Sequence, residues 1–307
     1  MTVTLQWETR GVSTPAADVQ PGLFAEPVRL FVCTPSKLAA YEDCPRRYRF
    51  SYVDRPPPPK GPPWGHNSLG ASVHTALRSW FDLPPAKRHR GVLGTLLKAT
   101  WVRDGYRDPE QERAAYQLAL SWLTRYVDSL NPAVEPVAVE RTVAAKTATL
   151  ALSGRVDRID DVDGELVIVD YKTGRAGLSA DDARGSRAMA LYAFATERLF
   201  RRRCRRVELH HLPTATVAAY EHSDASLARH VQRAEQTAAD AMRAEKELTA
   251  GADPDAAFPA TPGPICGWCD FRRACPAGIA QVGHEPWTAV DRTLAAPLDA
   301  DAPDPDH

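Results

Sequence analysis

No stretch of the 307 residues approaches the roughly 18 apolar side chains that span a bilayer. The opening MTVTLQWETR also lacks the basic-then-apolar order of a secretory signal, so the expected compartment is the cytoplasm, with no membrane partner. An excess of one charge is missing too. A formal net charge of -1 gives no global attraction to nucleic acid, so any phosphate-binding surface must be a local concentration of basic residues. Two such runs occur, Arg46, Arg47 and Arg49, and Arg201, Arg202, Arg203, Arg205 and Arg206; each serves equally well as a solvated helix face. Neither GxGxxG nor GxxxxGK[ST] is found, which removes the common nucleotide fingerprints, and there is no internal repeat. Cysteine is scarce. Six thiols in a reducing compartment argue against a disulfide framework, yet three of them crowd into ICGWCDFRRAC, where metal or cluster ligation explains them better. Cys33 reads as a small buried apolar side chain, and Cys204, within a basic run, as incidental.

What is present suits an ordinary globular core: 44% of residues are hydrophobic and 25% charged. Residues 1 to 30 and the acidic, Pro-rich tail over 286 to 307 are expected to be loosely ordered. Between them, 31 to 285 reads as a single domain with a helical insertion at about 66 to 130. RPPPPKGPPWG at 55 to 65 excludes helix and central strand, leaving an extended connection. Helical periodicity marks about 68 to 82, 90 to 103 and 109 to 130. The period then changes to that of strands at 136 to 143, 149 to 160 and 165 to 171. A helix over about 180 to 203, two strands within 206 to 221 and an Ala-rich helix over about 224 to 248 complete an α/β pattern with an antiparallel hairpin at its centre.

That hairpin, LSGRVDRIDDVDGELVIVDYKTG over 152 to 174, is the most informative segment. With Asp163-Gly164 as a two-residue turn, Val162 faces Glu165 and Asp157 falls opposite Asp170; the period of 2 returns Lys172 to the side of Asp170. Opposed carboxylates repel, and LVIV before Asp170 predicts a strand buried on both sides, where repulsion is poorly screened. A hard divalent cation resolves that conflict, and it would also polarise a phosphoryl oxygen and lower the pKa of a bound water. Lys172 would orient the water or stabilise transition-state charge. The alternative leaves Asp157 paired with Arg155 or Arg158 and Lys172 as a surface charge.

GRVDRID followed by VIVDYKTG resembles the RecB-type branch of the PD-(D/E)XK nucleases, which includes CRISPR-associated iron-sulfur exonucleases and AddB-type nuclease domains. The resemblance covers about residues 31 to 280. It implies a restriction-endonuclease-like mixed sheet core flanked by helices, with a helical N-terminal subdomain. It also implies metal binding by Asp157, Asp170 and the backbone carbonyl of Tyr171, with Lys172 catalytic. SLGASVHTALRSW resembles the family helix that carries a metal-binding His, here His74; Gly70, one turn earlier, leaves room for another segment. An imidazole among oxygens suits Mn2+ at least as well as Mg2+. Glu140, in VAVERTV, resembles a Glu that supports the metal or a water, although a salt bridge to a neighbouring Arg explains it almost as well. Tyr192, in SRAMALYAFA, matches a family Tyr associated with support or DNA contact, but the family's Gln falls on Ala188.

CTPSKLAAYEDCPRRYRF resembles the opening motif of cluster-bearing members, with Thr34 and Ser36 as N-cap candidates. In those members the Cys of this motif joins three C-terminal cysteines spaced C-x2-C-x5-C, which Cys266, Cys269 and Cys275 reproduce. Cys44 with these three implies a [4Fe-4S] cluster, and spacing alone leaves tetrahedral zinc open. The expected function is a metal-dependent DNA nuclease, an exonuclease on single-stranded DNA, acting in repair, recombination or foreign-DNA processing. Helicase motifs are absent, so unwinding would need a helicase or other repair protein as partner. A non-catalytic, cluster-stapled DNA-binding or scaffold protein is the competing reading.

Overall fold

The computed structural model describes residues 30–175 and 177–295. In chain order the main elements are β1 (Phe31–Cys33), α1 (Pro35–Asp43), α2 (Pro45–Tyr48), α3 (Gly65–Phe81), α4 (Leu93–Thr100) and α5 (Pro109–Asp128). Then follow β2 (Ala138–Lys146), β3 (Leu150–Val162), β4 (Glu165–Lys172), α6 (Ala180–Gly185), α7 (Arg187–Phe200), β5 (Cys204–His211) and β6 (Thr216–Glu221). The chain ends in α8 (Asp224–Thr249), α9 (Pro254–Ala257), α10 (Pro276–Ile279) and α11 (Thr288–Ala295).

The six strands form one mixed sheet in the order β1-β3-β4-β5-β6, with β2 also paired to β3. The β3–β4 hairpin has the register expected from its turn, Val162 facing Glu165. Both turn residues are left-handed, Asp163 at φ 53 and Gly164 at φ 87, as a tight hairpin turn requires. β4 is buried on both sides. Leu166 and Ile168 join the core that includes Leu191 and Leu209, whereas Val167, Val169 and Tyr171 join the one that includes Leu77, Trp80 and Trp122. The helices α3 to α5, expected as a subdomain, are thus the layer that closes this second face. This is the restriction-endonuclease-like arrangement of a mixed sheet between helices.

Two expectations need correcting, and one strand carried no signal in the sequence. The single helix over 180 to 203 is two, because Gly185 is a poor helix interior and Ser186 turns extended to cap the next helix, its Oγ accepting from Met189 N–H. The three-residue β1 is too short for any periodicity to reveal; its partner Leu150–Leu152 supplies what holds it. The segment from 286 on, expected to be loose, contains α11: Val290 is fully buried against the α3 and α5 layer, and Asp291 pairs with Arg107 at 2.8 Å. Residues 1 to 29 and 296 to 307 lie outside the described residues. The Pro-rich stretch over 55 to 64 forms neither helix nor strand, as expected, and docks by Gly61 N–H to Asp270 O at 2.7 Å. No described helix is long and apolar enough to cross a membrane.

Candidate active site

Two ladders are interrupted at the same place on β3. The β3–β4 pairing ends at Arg158 and Val169, and the β2–β3 pairing skips Glu140 between Val139↔Arg158 and Arg141↔Val156. Continuing both registers sets Asp157 between Glu140 on β2 and Asp170 on β4. Three carboxylates therefore stand side by side across three strands, an arrangement that costs stability unless cations compensate. Glu140 is itself left-handed, at φ 49, a conformation that costs a non-glycine residue about 1 kcal/mol or more. The strained residue sits where the backbone pair is missing.

The remaining groups converge on this row. From α3, His74 Nδ1 approaches Asp157 Oδ2 at 3.2 Å, and the Tyr171 amide N–H donates to the same oxygen at 2.8 Å. Donor atoms of His74, Glu140 and Asp157 lie within 4.8 Å of one another, so these three could hold a metal ion. Lys172 Nζ stands 2.7 Å from Asp170 Oδ2, as a β-strand period of 2 demands. That oxygen is nevertheless buried and accepts no aligned hydrogen bond, so the lysine balances its charge without saturating it. Neither arginine beside Asp157 in sequence takes it: Arg155 pairs with Glu140 at 2.7 Å and Arg158 with Asp160 at 2.8 Å.

Electrostatics report an excess of negative charge. Burial raises the Asp170 carboxyl above its ordinary range; the Lys172 charge opposes this and the Asp157 charge adds to it. Glu140 is raised by burial and by Asp157, against the pull of Arg155. Burial by itself would lower His74, but its hydrogen bond to Asp157 and the charges of Asp157, Asp170 and Glu140 outweigh that and raise it. Two carboxyls leaning towards neutrality beside an imidazole leaning towards its cation form a place that a divalent ion would relieve.

Neighbouring elements approach closely because two glycines permit it. A Cβ on Gly70 would stand 3.2 Å from Thr173 Oγ1, so the room beside His74 is used by the residue that follows β4. A Cβ on Gly154 would overlap the Tyr192 ring. Tyr192 thus reaches the site from α7, its hydroxyl pushed up to about 12 by burial and then by the charges of Asp170 and Asp157. Behind the site, the Tyr171 side chain is held by Arg158 (Nη1 to hydroxyl 3.1 Å), which also donates to Tyr126 at 2.9 Å; Tyr126 in turn meets His210 at 2.8 Å. This buried relay fixes β4 from its far face.

A cleft of about 940 Å³ opens beside the site, with His74 and Glu140 in its lining together with the cations Arg78, Arg155, Arg175 and Arg292. The two arginine runs singled out in the sequence lie elsewhere, and most of their members are matched internally. Arg46 and Arg49 pair with Asp255, Arg47 with Asp43, Arg202 with Asp161, Arg203 with Glu165 and Arg206 with Glu208. The cations of the cleft come instead from four separate segments, and isolated arginines carry no sequence signal. Cys44, Cys266, Cys269 and Cys275 line one common pocket although more than 200 residues separate the first from the others. Burial raises the Cys269 thiol, and Arg46 Nη1 approaches Cys275 Sγ at 4.0 Å. Cys33 and Cys204 are buried in the sheet, pushed up by burial to about 11 and about 12, and serve as apolar side chains; for Cys204 this replaces the incidental role read from its basic run.

A row of carboxylates across three neighbouring strands, with a lysine two residues beyond the last of them, defines a class of metal-dependent nuclease. The sequence pattern of the PD-(D/E)XK nuclease superfamily matches residues 32–276, and the chain belongs to that superfamily, whose members cleave phosphodiesters with divalent metals. Among solved structures, the chain is similar to a presumptive exonuclease from Eubacterium rectale at 10% identity, with a TM-score of 0.45 over 69% of this chain and 80% of that one. It is also similar to the protein SSO0001 at 14% identity, with a TM-score of 0.35 over 80% of this chain and 86% of that one. No curated protein matches it.

Proposed function

We propose that the protein is a RecB-type exonuclease that hydrolyses single-stranded DNA, with Asp157, Asp170 and Lys172 as its catalytic residues. The observation that carries the reading is the convergence of Glu140, Asp157, Asp170, His74 and Lys172 at one interrupted point of the sheet. His74, Asp157, Asp170 and the Tyr171 carbonyl would hold Mn2+ or Mg2+, with Glu140 supporting the ion or a water. The unsaturated Asp170 oxygen and the raised carboxyls fit such an ion. When bound, the ion supplies Lewis-acid polarisation of the phosphate and a more acidic water. Lys172, anchored beside Asp170, orients that water and stabilises charge on the phosphoryl oxygens. Asp157 keeps the β4 backbone in register by accepting from Tyr171 N–H.

Cys44, Cys266, Cys269 and Cys275 are assigned to a [4Fe-4S] cluster. The four thiols line one pocket and supply the four thiolate donors that such a cluster takes. The cluster would staple the two ends of the nuclease, in a cytoplasmic enzyme of DNA repair, recombination or foreign-DNA processing that works with a helicase.

End-labelled single- and double-stranded DNA should be offered to anaerobically purified protein with Mn2+, Mg2+ or EDTA, beside Lys172→Ala. Metal-dependent cutting of the single strand, lost in the variant, is the expected result; an inert protein that still binds DNA would overturn the catalytic assignment in favour of a scaffold.

A further inference from the structure

The cysteine-bearing segment is also one wall of the nuclease cleft. Pro264, Ile265 and Trp268 line the cleft over His74 and Glu140, and Ile265 lines the cysteine pocket as well, so one side chain separates the two. Ile265 is 39% exposed. Trp268 is half-buried and rigidly set: His284 lies 4.1 Å from its ring, Trp64 5.5 Å and His66 5.7 Å. The Arg292 guanidinium stands over it at 5.6 Å. Across the cleft, α3 and β3 present Arg78 and Arg155. One part of the lining is therefore apolar and aromatic, with Arg292 beside Trp268, and another carries Arg78 and Arg155, which are paired with Asp82 at 3.6 Å and Glu140 at 2.7 Å.

We infer that the cleft takes its strand in one orientation, bases against Ile265 and Trp268 and phosphates towards Arg78 and Arg155. This rests on the nuclease reading of the same cleft and adds to it a base-contacting role for the cysteine segment. The argument is chemical. A duplex hides its base planes in its own stack and shows a cleft wall only phosphates and groove edges. A single strand shows both a charged backbone and bare π-faces, which matches a cleft whose lining offers both arginines and apolar, aromatic surface. Ile265 supplies apolar contact, Trp268, braced by its neighbours, supplies aromatic surface, and the Arg292 guanidinium beside it supplies a plane on which a base can stack. Because Ile265 also covers the cysteines, the group they hold shapes the substrate wall while remaining outside the chemistry.

The test measures binding by fluorescence anisotropy in an Asp170→Asn background, so that nothing is cut. The probes are a single-stranded 12-mer, an abasic strand of equal length and the corresponding duplex. The base-bearing strand should bind about tenfold or more tightly than the abasic one. Ile265→Ser should reduce that ratio several-fold without weakening abasic binding or changing the visible spectrum. Trp268→Leu should bring the ratio close to one, and Trp268→Phe should largely preserve it. Should Trp268→Leu lose its colour, Ile265→Ser decides alone, since its side chain is exposed. The inference is overturned if Ile265→Ser keeps the full ratio, or if affinity for both single strands falls together. Wild-type protein that cleaves DNA yet shows no preference for bases would defeat this inference only; wild-type protein that cleaves nothing would defeat the nuclease reading itself.

Discussion

At the scale of single residues, the site is a set of charges that the fold holds together against their mutual repulsion. Asp170 is the clearest case, buried, raised and left with an unsaturated oxygen. Asp170→Asn should abolish cleavage, by roughly a hundredfold or more. It should also stabilise the metal-free protein, by about 0.5–1 kcal/mol, because a like-charged cross-strand neighbour is removed. Thermal melts in EDTA and in Mn2+ check this. Wild type should gain about 2.7 kcal/mol at a hundredfold excess of metal over Kd, and the variant much less. Glu208 gives a pH prediction away from the site. Its hydrogen bond to His210 overrides burial and, with Arg206, holds its carboxyl down to about 2. A carboxyl lowered on folding contributes stability above its unfolded value that is lost as pH falls through the folded one. Glu208→Gln should therefore cost on the order of 2 kcal/mol at pH 7 and almost nothing near pH 2, read by denaturant unfolding at several pH values.

At the scale of elements, function depends on how closely α3 and α7 approach the hairpin. Gly154→Ala would press a methyl group into the Tyr192 ring and should cost about 1–3 kcal/mol in urea unfolding. Tyr192→Leu in the same chain should recover part of that loss, since the clash and not the glycine's backbone causes it. The terminal helix α11 makes a comparable contribution. Val290→Asp would bury an unpaired carboxylate between α3 and α5, and an unfolding cost of about 3 kcal/mol or more is expected. The core hairpin was legible because its turn, its alternation and its D-x-K ending all agree, and a two-residue turn leaves one register. β1, the break at Ser186 and α11 were not, because three residues carry no period and a short helix in acidic, Pro-rich surroundings depends on its docking site more than on its own propensity.

At the scale of the whole molecule, the fold brings Cys44, between α1 and α2, to the same pocket as the three cysteines after α9, so a group held by all four would close a loop of more than 200 residues. Closing so long a loop restricts the unfolded chain, so a bound group should stabilise substantially. Cys269→Ser should bleach the visible absorbance and lower the melting temperature by several degrees, whereas Lys172→Ala should change neither; absorbance and calorimetry on anaerobic samples separate the two.

The sequence by itself determined the α/β class, the hairpin register that sets Asp157 against Asp170, the lysine beside it, and the choice of His74 and the four cysteines as residues to watch. The register and the lysine follow from short-range rules, a two-residue turn and a strand period of 2, whereas His74 and the grouping of Cys44 with the C-terminal thiols rest on the family resemblance. Only the tertiary structure decided that Glu140 completes the row of carboxylates, that Arg155 pairs with it, that most arginines of the two runs are matched internally, and that the cysteine segment faces the cleft. Each of those depends on which distant segments meet, and that is settled by core packing on both faces of β4, where no local pattern in the chain reaches.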